Sequence, residues 1–221
     1  MELYLIRHGQ STNNQNHLPD VADPPLTELG KEQSRRAGES LIEKGITWLY
    51  CSPMLRALQS AQIIGDILNL RANVFIGLHE WGGLSDENEA GQRTEIPGLT
   101  RSEMEKICPQ VVLPASVTDS GWWFHKWKDA EMMTELAREN SVSFVRYLQT
   151  HHADTDEGVI AILHGGSGSN LLCALLGLPF RVGYAPFHHN NTGVSRIRIT
   201  PELTHVRYLN RVDHLSEEAV T

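Results

Sequence analysis

The chain has 221 residues, long enough to bury a core, and its 40% hydrophobic and 21% charged content is ordinary for a soluble globular protein. A net charge of −8 argues against nucleic acid or an acidic membrane surface as the main partner, but an acidic protein can still hold a locally positive pocket. Cys51, Cys108 and Cys173 are scattered with no CxxC pair, so neither a zinc knuckle nor a redox dithiol is expected.

Residues 2–6 read as a strand whose apolar run Leu3-Tyr4-Leu5-Ile6 ends on Arg7-His8-Gly9-Gln10. Thr27 as N-cap, Glu28 at the positive helix start and Leu29, Gln33, Ala37 and Leu41 at four-residue spacing predict a helix that Gly45 stops. A strand over 46–51 follows. Ser52-Pro53, a cap with proline at the first helical position, then predicts a second helix with the stripe Leu55, Leu58, Ile64 and Leu68. Another strand is expected over 72–76.

Residues 83–128 break this rhythm. They are polar, rich in Gly and Pro, and hold Trp122, Trp123 and Trp127. One short helix is expected there, opened by the capping box Thr100-x-x-Glu103 and ended near Pro109. The segment reads as an ordered insertion or cap over the sheet edge, its tryptophans mainly packing the cap. A helix over 131–150 ends on His151-His152, read as structural. A strand over 159–163 ends on His164-Gly165-Gly166, and a helix runs through Leu171, Leu172, Leu175 and Leu176 to Gly177 and Pro179. Strands over 194–200 and, more weakly, 205–209 close the chain. The alternation predicts an α/β fold, a three-layer α/β/α sandwich around a mostly parallel sheet with a cap-like insertion, in one domain spanning 1–221.

Open α/β sheets bind ligands at the carboxyl ends of their strands. Two histidine-glycine pairs, at His8 and His164, are expected there. A nitrogen nucleophile beside an anion pocket points to phosphoryl transfer. Arg7 and Arg56 supply planar forks matched to phosphate oxygens, and Arg56 falls in the first turn of its helix, where the dipole also favours an anion. Gly9 and Gly165 would let the backbone approach that anion. His188-His189-Asn190-Asn191-Thr192 precedes a strand. Neighbours on a strand point to opposite faces, so the histidine pair is not expected to bind one metal ion, but one of them, or Asn191, is a candidate for the pocket wall.

Five segments, in order, carry a resemblance: Leu5-Ile6-Arg7-His8-Gly9-Gln10-Ser11, Leu26-Thr27-x-x-Gly30, Ser52-Pro53-x-x-Arg56-Ala57-x-x-Ser60-Ala61, Leu78-x-Glu80 and His164-Gly165-Gly166. Together they resemble the histidine phosphatase superfamily, the phosphoglycerate-mutase-like proteins. The resemblance implies that His8 is the nucleophile and becomes a phosphohistidine, that His164 donates to a phosphoryl oxygen, and that Glu80 is the proton donor, with Asp86 and Glu87 as nearby rivals. It also implies that Arg7, Arg56 and Asn14 hold the phosphoryl group. Gln10 stands where many members have glutamate. The insertion lacks the paired arginines with which phosphoglycerate mutases hold a second phosphate and a carboxylate, since Arg93 and Arg101 are single and apart.

The expectation is a metal-independent phosphomonoester hydrolase needing no cofactor. The rival readings are a cofactor-dependent phosphoglycerate mutase and a non-catalytic phospholigand-binding member. The expected partner is a phosphorylated small molecule, with no nucleic acid and no membrane. No run approaches about 20 apolar residues and no basic-then-apolar leader opens the chain, so a cytoplasmic location is expected. The pattern fixes neither which phosphoester is the substrate nor an oligomeric state.

Overall fold

A computed structural model describes residues 1–16, 21–87, 93–123, 129–153, 155–180 and 185–221. In chain order the strands of the main sheet are β1 (Glu2–Arg7), β2 (Ile46–Cys51), β3 (Ala72–Val74), β6 (Gly158–Leu163), β7 (Val194–Ile199) and β8 (Thr204–Arg211). Their spatial order is β3-β2-β6-β1-β7-β8. The first four run parallel, and β7 and β8 are antiparallel to their neighbours. The expected mostly parallel sheet is therefore present.

Alternation along the strands builds the layers. On β1, Tyr4 and Ile6 enter one apolar cluster with Ala37, Leu58 and Ile64, from α2 (Glu28–Ser40) and α3 (Leu55–Leu68). Leu3 and Leu5 enter the other, with Phe144, Leu148, Leu171 and Leu172, from α5 (Ala130–His152) and α6 (Gly165–Leu176). Successive strand side chains face opposite ways, so a strand covered on both faces must be apolar throughout. This is why residues 3–6 read as an unbroken apolar run.

Some boundaries differ from the sequence expectation. α2 ends at Ser40, with Leu41 as its C-cap, and Gly45 (φ 68°) instead makes the turn into β2. α3 is capped by the backbone of Met54, so Pro53 lies outside the helix. The third strand stops at Val74 and a 3₁₀ turn, Ile76–Leu78, takes over. β8 is longer than expected.

The insertion holds a small antiparallel pair, β4 (Ser85–Glu87) and β5 (Arg93–Glu95), and α4 (Arg101–Ile107), which carries the Thr100/Glu103 capping box. Trp122 is fully buried, its indole occupying the space a side chain on Gly98 would need. Trp127 and the side chains of Asp86, Glu87 and Arg93 lie outside the described residues. At the far end of α5, His152 is buried between Glu157 (2.9 Å) and the Tyr50 hydroxyl (3.0 Å), a structural clamp. No helix among the described residues is long and apolar enough to cross a membrane.

Candidate active site

Three neighbouring strand ends assemble the site. β1 and β6 pair in parallel with Arg7 opposite Leu163, and the His8 amide donates to the Leu163 carbonyl at 2.9 Å. The next residue of each strand therefore emerges beside the other, and the His8 and His164 ring centroids are 5.0 Å apart. β2 flanks β6 on its other side and delivers Ser52, whose hydroxyl lies 2.7 Å from His164 Nε2.

The hydrogen bonds assign the tautomers. His8 Nδ1 lies 2.7 Å from the Gly9 carbonyl, which only an N–H can satisfy. The proton is thus on Nδ1, and Nε2 keeps its lone pair, to which Arg56 Nε donates at 3.1 Å. Burial, then the charges of Arg56 and Arg7, holds the His8 pKa well below the ordinary imidazole value. His8 is neutral at physiological pH. Ser52 Oγ accepts from the Met54 amide at 3.3 Å, and its hydroxyl proton has no acceptor among the described residues other than His164 Nε2. His164 then carries its own proton on Nδ1. It too is held neutral, chiefly by burial.

The cations come next. Arg7 Nη1 donates to the His189 carbonyl at 2.7 Å, and the guanidinium is otherwise unused at Nε. Arg7 Nε and His164 Nδ1 are both buried, and neither has a hydrogen-bond partner among the described residues. Arg56 is oriented by Asp23 at 3.4 Å. Asn14 is fixed through its Oδ1, which accepts from the Ser11 amide and hydroxyl at 3.1 and 3.0 Å.

Glu80, half-buried, lines the same cavity as the two arginines. Its Oε1 accepts from the amides of Trp81 (3.0 Å) and Ser167 (2.9 Å), and its Oε2 from that of Gly166 (3.0 Å). These bonds favour the carboxylate, yet burial outweighs them and raises its pKa. A carboxyl has about four lone-pair positions, and Oε2, with one N–H, keeps the open one.

Arg7, His8, Asn14, Arg56, Glu80 and Gly165 line a single cavity of about 360 Å³. His164 lies one layer beneath them. Gly9 does not line it. A side chain there would sit 2.2 Å from the Gly30 carbonyl, so Gly9 is small because α2 packs against it. His188 and His189 both line the cavity, but His188 turns to Asn190 at 2.9 Å while the buried His189 ring packs on Gly168. The two do not converge as metal ligands. Asn191 is buried below, where its amide donates to the His8 carbonyl at 2.9 Å. Gln10 accepts from the Thr27 hydroxyl at 2.8 Å, which ties the nucleophile's loop to the start of α2.

One expectation needs correcting. The start of α3 was expected to offer its dipole to a bound anion, but a protein carboxylate already sits there. Both oxygens of Asp23 accept from the Leu55 amide, each at 3.0 Å. Glu80 fills the same role at α6. Phosphate neutralisation is therefore left to the side chains. Sequence reasoning missed Asp23 and the Ser52 bond to His164. The only available signal was an acid fixed before Pro24-Pro25 ahead of a capped helix.

Burial raises the Asp23 carboxyl to about 6, despite the Leu55 amide and Arg56. A raised carboxylate pKa contributes stability below the unfolded value of 3.8 that is lost as pH rises through about 6. Asp23→Asn mimics the protonated form. Its melting temperature relative to the parent is expected to improve by a few degrees between pH 5 and pH 8, on the order of 1.4 kcal/mol. Meanwhile kcat/KM falls about tenfold as Arg56 loses its anchor. A stability difference that does not change with pH would contradict this account.

The chain is similar to several known proteins. Residues 3–212 match the sequence profile described as "Histidine phosphatase superfamily (branch 1)". A glucosyl-3-phosphoglycerate phosphatase of Mycolicibacterium vanbaalenii is 30% identical over 183 residues, covering 80% of this chain and 75% of that protein. A protein named "Putative phosphoserine phosphatase 2" of Hydrogenobacter thermophilus is 24% identical over 213 residues, covering 96% of each chain. A phosphoserine phosphatase from Entamoeba histolytica, solved in complex with 3-phosphoglyceric acid, superposes with a TM-score of 0.63 at 20% identity, covering 97% of this chain and 99% of the other.

Proposed function

This chain belongs to the histidine phosphatase superfamily, branch 1, and from that premise we propose that it hydrolyses phosphomonoesters through a phosphohistidine on His8. One observation carries the reading. A neutral imidazole presents an unprotonated Nε2, and around it stand the Arg56 guanidinium and two buried N–H groups, Arg7 Nε and His164 Nδ1, that have no hydrogen-bond partner among the described residues. Each unpaired buried donor costs about 1–3 kcal/mol, and a phosphoryl group would satisfy both.

The steps follow from the geometry. As the ester enters, the Arg56 N–H that holds Nε2 shifts to a phosphoryl oxygen. His8 Nε2 attacks phosphorus while the bond from phosphorus to the ester oxygen breaks. The proton on Glu80 Oε2 goes to that oxygen, so a neutral alcohol departs. Charge on the transferring group grows against Arg56, already moved onto it, and against Arg7 Nε and the His164 N–H, which need no rearrangement to meet it. Water then attacks the phosphohistidine, and the Glu80 carboxylate takes a proton from it. The P–N bond breaks, which returns the lone pair to His8 and releases inorganic phosphate. No step needs a metal ion or cofactor.

Hydrolysis is favoured over mutase chemistry because Arg101 is committed to the insertion itself. It donates to the carbonyls of Val117 (3.1 Å) and Pro114 (2.9 Å). A mutase needs free cations there for its second phosphate. The three cysteines are buried and unpaired, which fits a reducing, cytoplasmic setting. The test is a panel of phosphoesters, including phosphoserine, assayed with a chelator and quenched for an acid-labile phosphoenzyme. Hydrolysis undiminished by the chelator is expected. A requirement for a divalent metal, or the absence of any phosphoenzyme, would refute the mechanism.

A further inference from the structure

A second cavity lies behind Glu80. It has a volume of about 200 Å³, and its walls include Phe75, Trp81, Trp123, Met133, Leu136 and Asn140. The 3₁₀ turn after β3 and one face of α5 supply most of it. Among the described residues, none of its lining side chains is Asp, Glu, Lys or Arg. Trp123 is 52% exposed, an unusual position for an indole with nothing to cover.

Glu80 is the partition between the two cavities. It lines the phosphate cavity, while two of the residues whose amides bond its Oε1, Trp81 and Ser167, line the apolar one. The Trp81 indole lies against Gly166, where a side chain would sit 1.6 Å from its Nε1 and 2.6 Å from Glu80 Oε1. The neighbouring Gly165 opens on the phosphate side. One carboxyl and one indole therefore separate the two spaces.

Reaction geometry selects between possible occupants. In-line transfer to His8 places the leaving oxygen on the far side of phosphorus from Nε2. That oxygen must also reach the Glu80 proton. The carbon attached to it then projects past Glu80, toward Trp81 and Trp123. A carboxylate or ammonium carried into this space would lose water and find, among the described lining residues, no Asp, Glu, Lys or Arg side chain and only the imidazole of His79 beside amides and hydroxyls, a heavy penalty. An aromatic or alicyclic group would gain contact area instead.

We infer that the apolar cavity behind Glu80 is the leaving-group subsite, and that the substrate is the phosphomonoester of an uncharged alcohol bearing a ring. This inference rests on the phosphomonoesterase reading above and adds the substrate class. It separates the chain from relatives named for phosphoserine and glucosyl-3-phosphoglycerate.

The experiment compares kcat/KM for 2-phenylethyl phosphate, O-phosphoserine and 3-phosphoglycerate, whose leaving groups are all alkyl alcohols. The phenylethyl ester is expected to lead by about tenfold or more, mainly through a lower KM. Trp123→Ala, at a half-exposed position the fold does not depend on, should cut that preference at least about fivefold. Leu136→Arg, which brings a cation to the cavity, should cut it further by improving the two charged esters. Equal or better use of phosphoserine or 3-phosphoglycerate by the parent overturns the subsite while leaving the phosphatase intact. So does a preference unmoved by either variant. Failure to hydrolyse any of the three overturns the underlying reading as well.

Discussion

Replacing His8 with alanine is expected to lower kcat by at least about 10⁴-fold, equivalent to about 5.5 kcal/mol of transition-state stabilisation, and to abolish phosphoenzyme formation. The size follows from what is lost. The covalent route disappears entirely, and no other neutral imidazole can replace it. His164 Nε2 is engaged by Ser52, and the His189 ring packs on Gly168. Arg7, Arg56 and His164 remain to bind phosphate, so affinity for inorganic phosphate or vanadate should persist in the variant. The alanine leaves a void beside Gly9 and removes the Nδ1 bond to the Gly9 carbonyl, but the Asn191 bond to the His8 carbonyl and the His8 amide bond to the Leu163 carbonyl do not involve the imidazole. The variant should therefore fold. A folded variant that keeps more than about one part in a hundred of the parent's activity would remove His8 from the nucleophile's role.

Glu80→Gln carries the second large effect, and its signature is a dependence on the leaving group. Gln keeps an oxygen for the Trp81 and Ser167 amides but has no proton to give and no base to accept one. For an alkyl phosphate, kcat should fall about 10²–10⁴-fold, the usual worth of general acid-base catalysis. For 4-nitrophenyl phosphate, whose anion leaves without protonation, the first step survives. Water attack then limits turnover and the phosphoenzyme accumulates, which a burst of nitrophenol would reveal. The pH profile should change too. In the parent, Glu80 acts as an acid with a pKa raised above 4.5, so the transfer step declines as pH climbs through that value. His8 must be unprotonated, and its depressed pKa pushes the acid-side decline well below 6.5. In Glu80→Gln the basic limb should vanish and the acid limb remain. An equal loss for both esters, with the basic limb intact, would show that Glu80 holds structure and moves no proton.

The sequence made much of this legible because the signals were local. Thr27, with the Gly30 amide on its hydroxyl, and Thr100, with its box partner Glu103, cap helices where a reader would expect caps. Gly177 closes α6 in a left-handed turn (φ 65°) for the same local reason. Boundaries slipped where the deciding contact was distant. Ser52 looked like a helix cap, but its hydroxyl serves His164, 112 positions away, and the helix starts three residues later.

By itself, the sequence determined the alternation of apolar runs and caps, hence the layered sheet, and placed Arg7, His8, Arg56 and His164 at the ends of its elements. Chain order and residue type suffice for that, because strand period and helix caps act over a few residues. Only the tertiary structure decided which nitrogen of each histidine carries the proton, that Asp23 and Glu80 already occupy the two helix starts, and that an uncharged aromatic cavity adjoins the proton donor. These depend on partners brought together across strands β2, β6 and β1 and on the water excluded between them, and neither is written in any local stretch of chain.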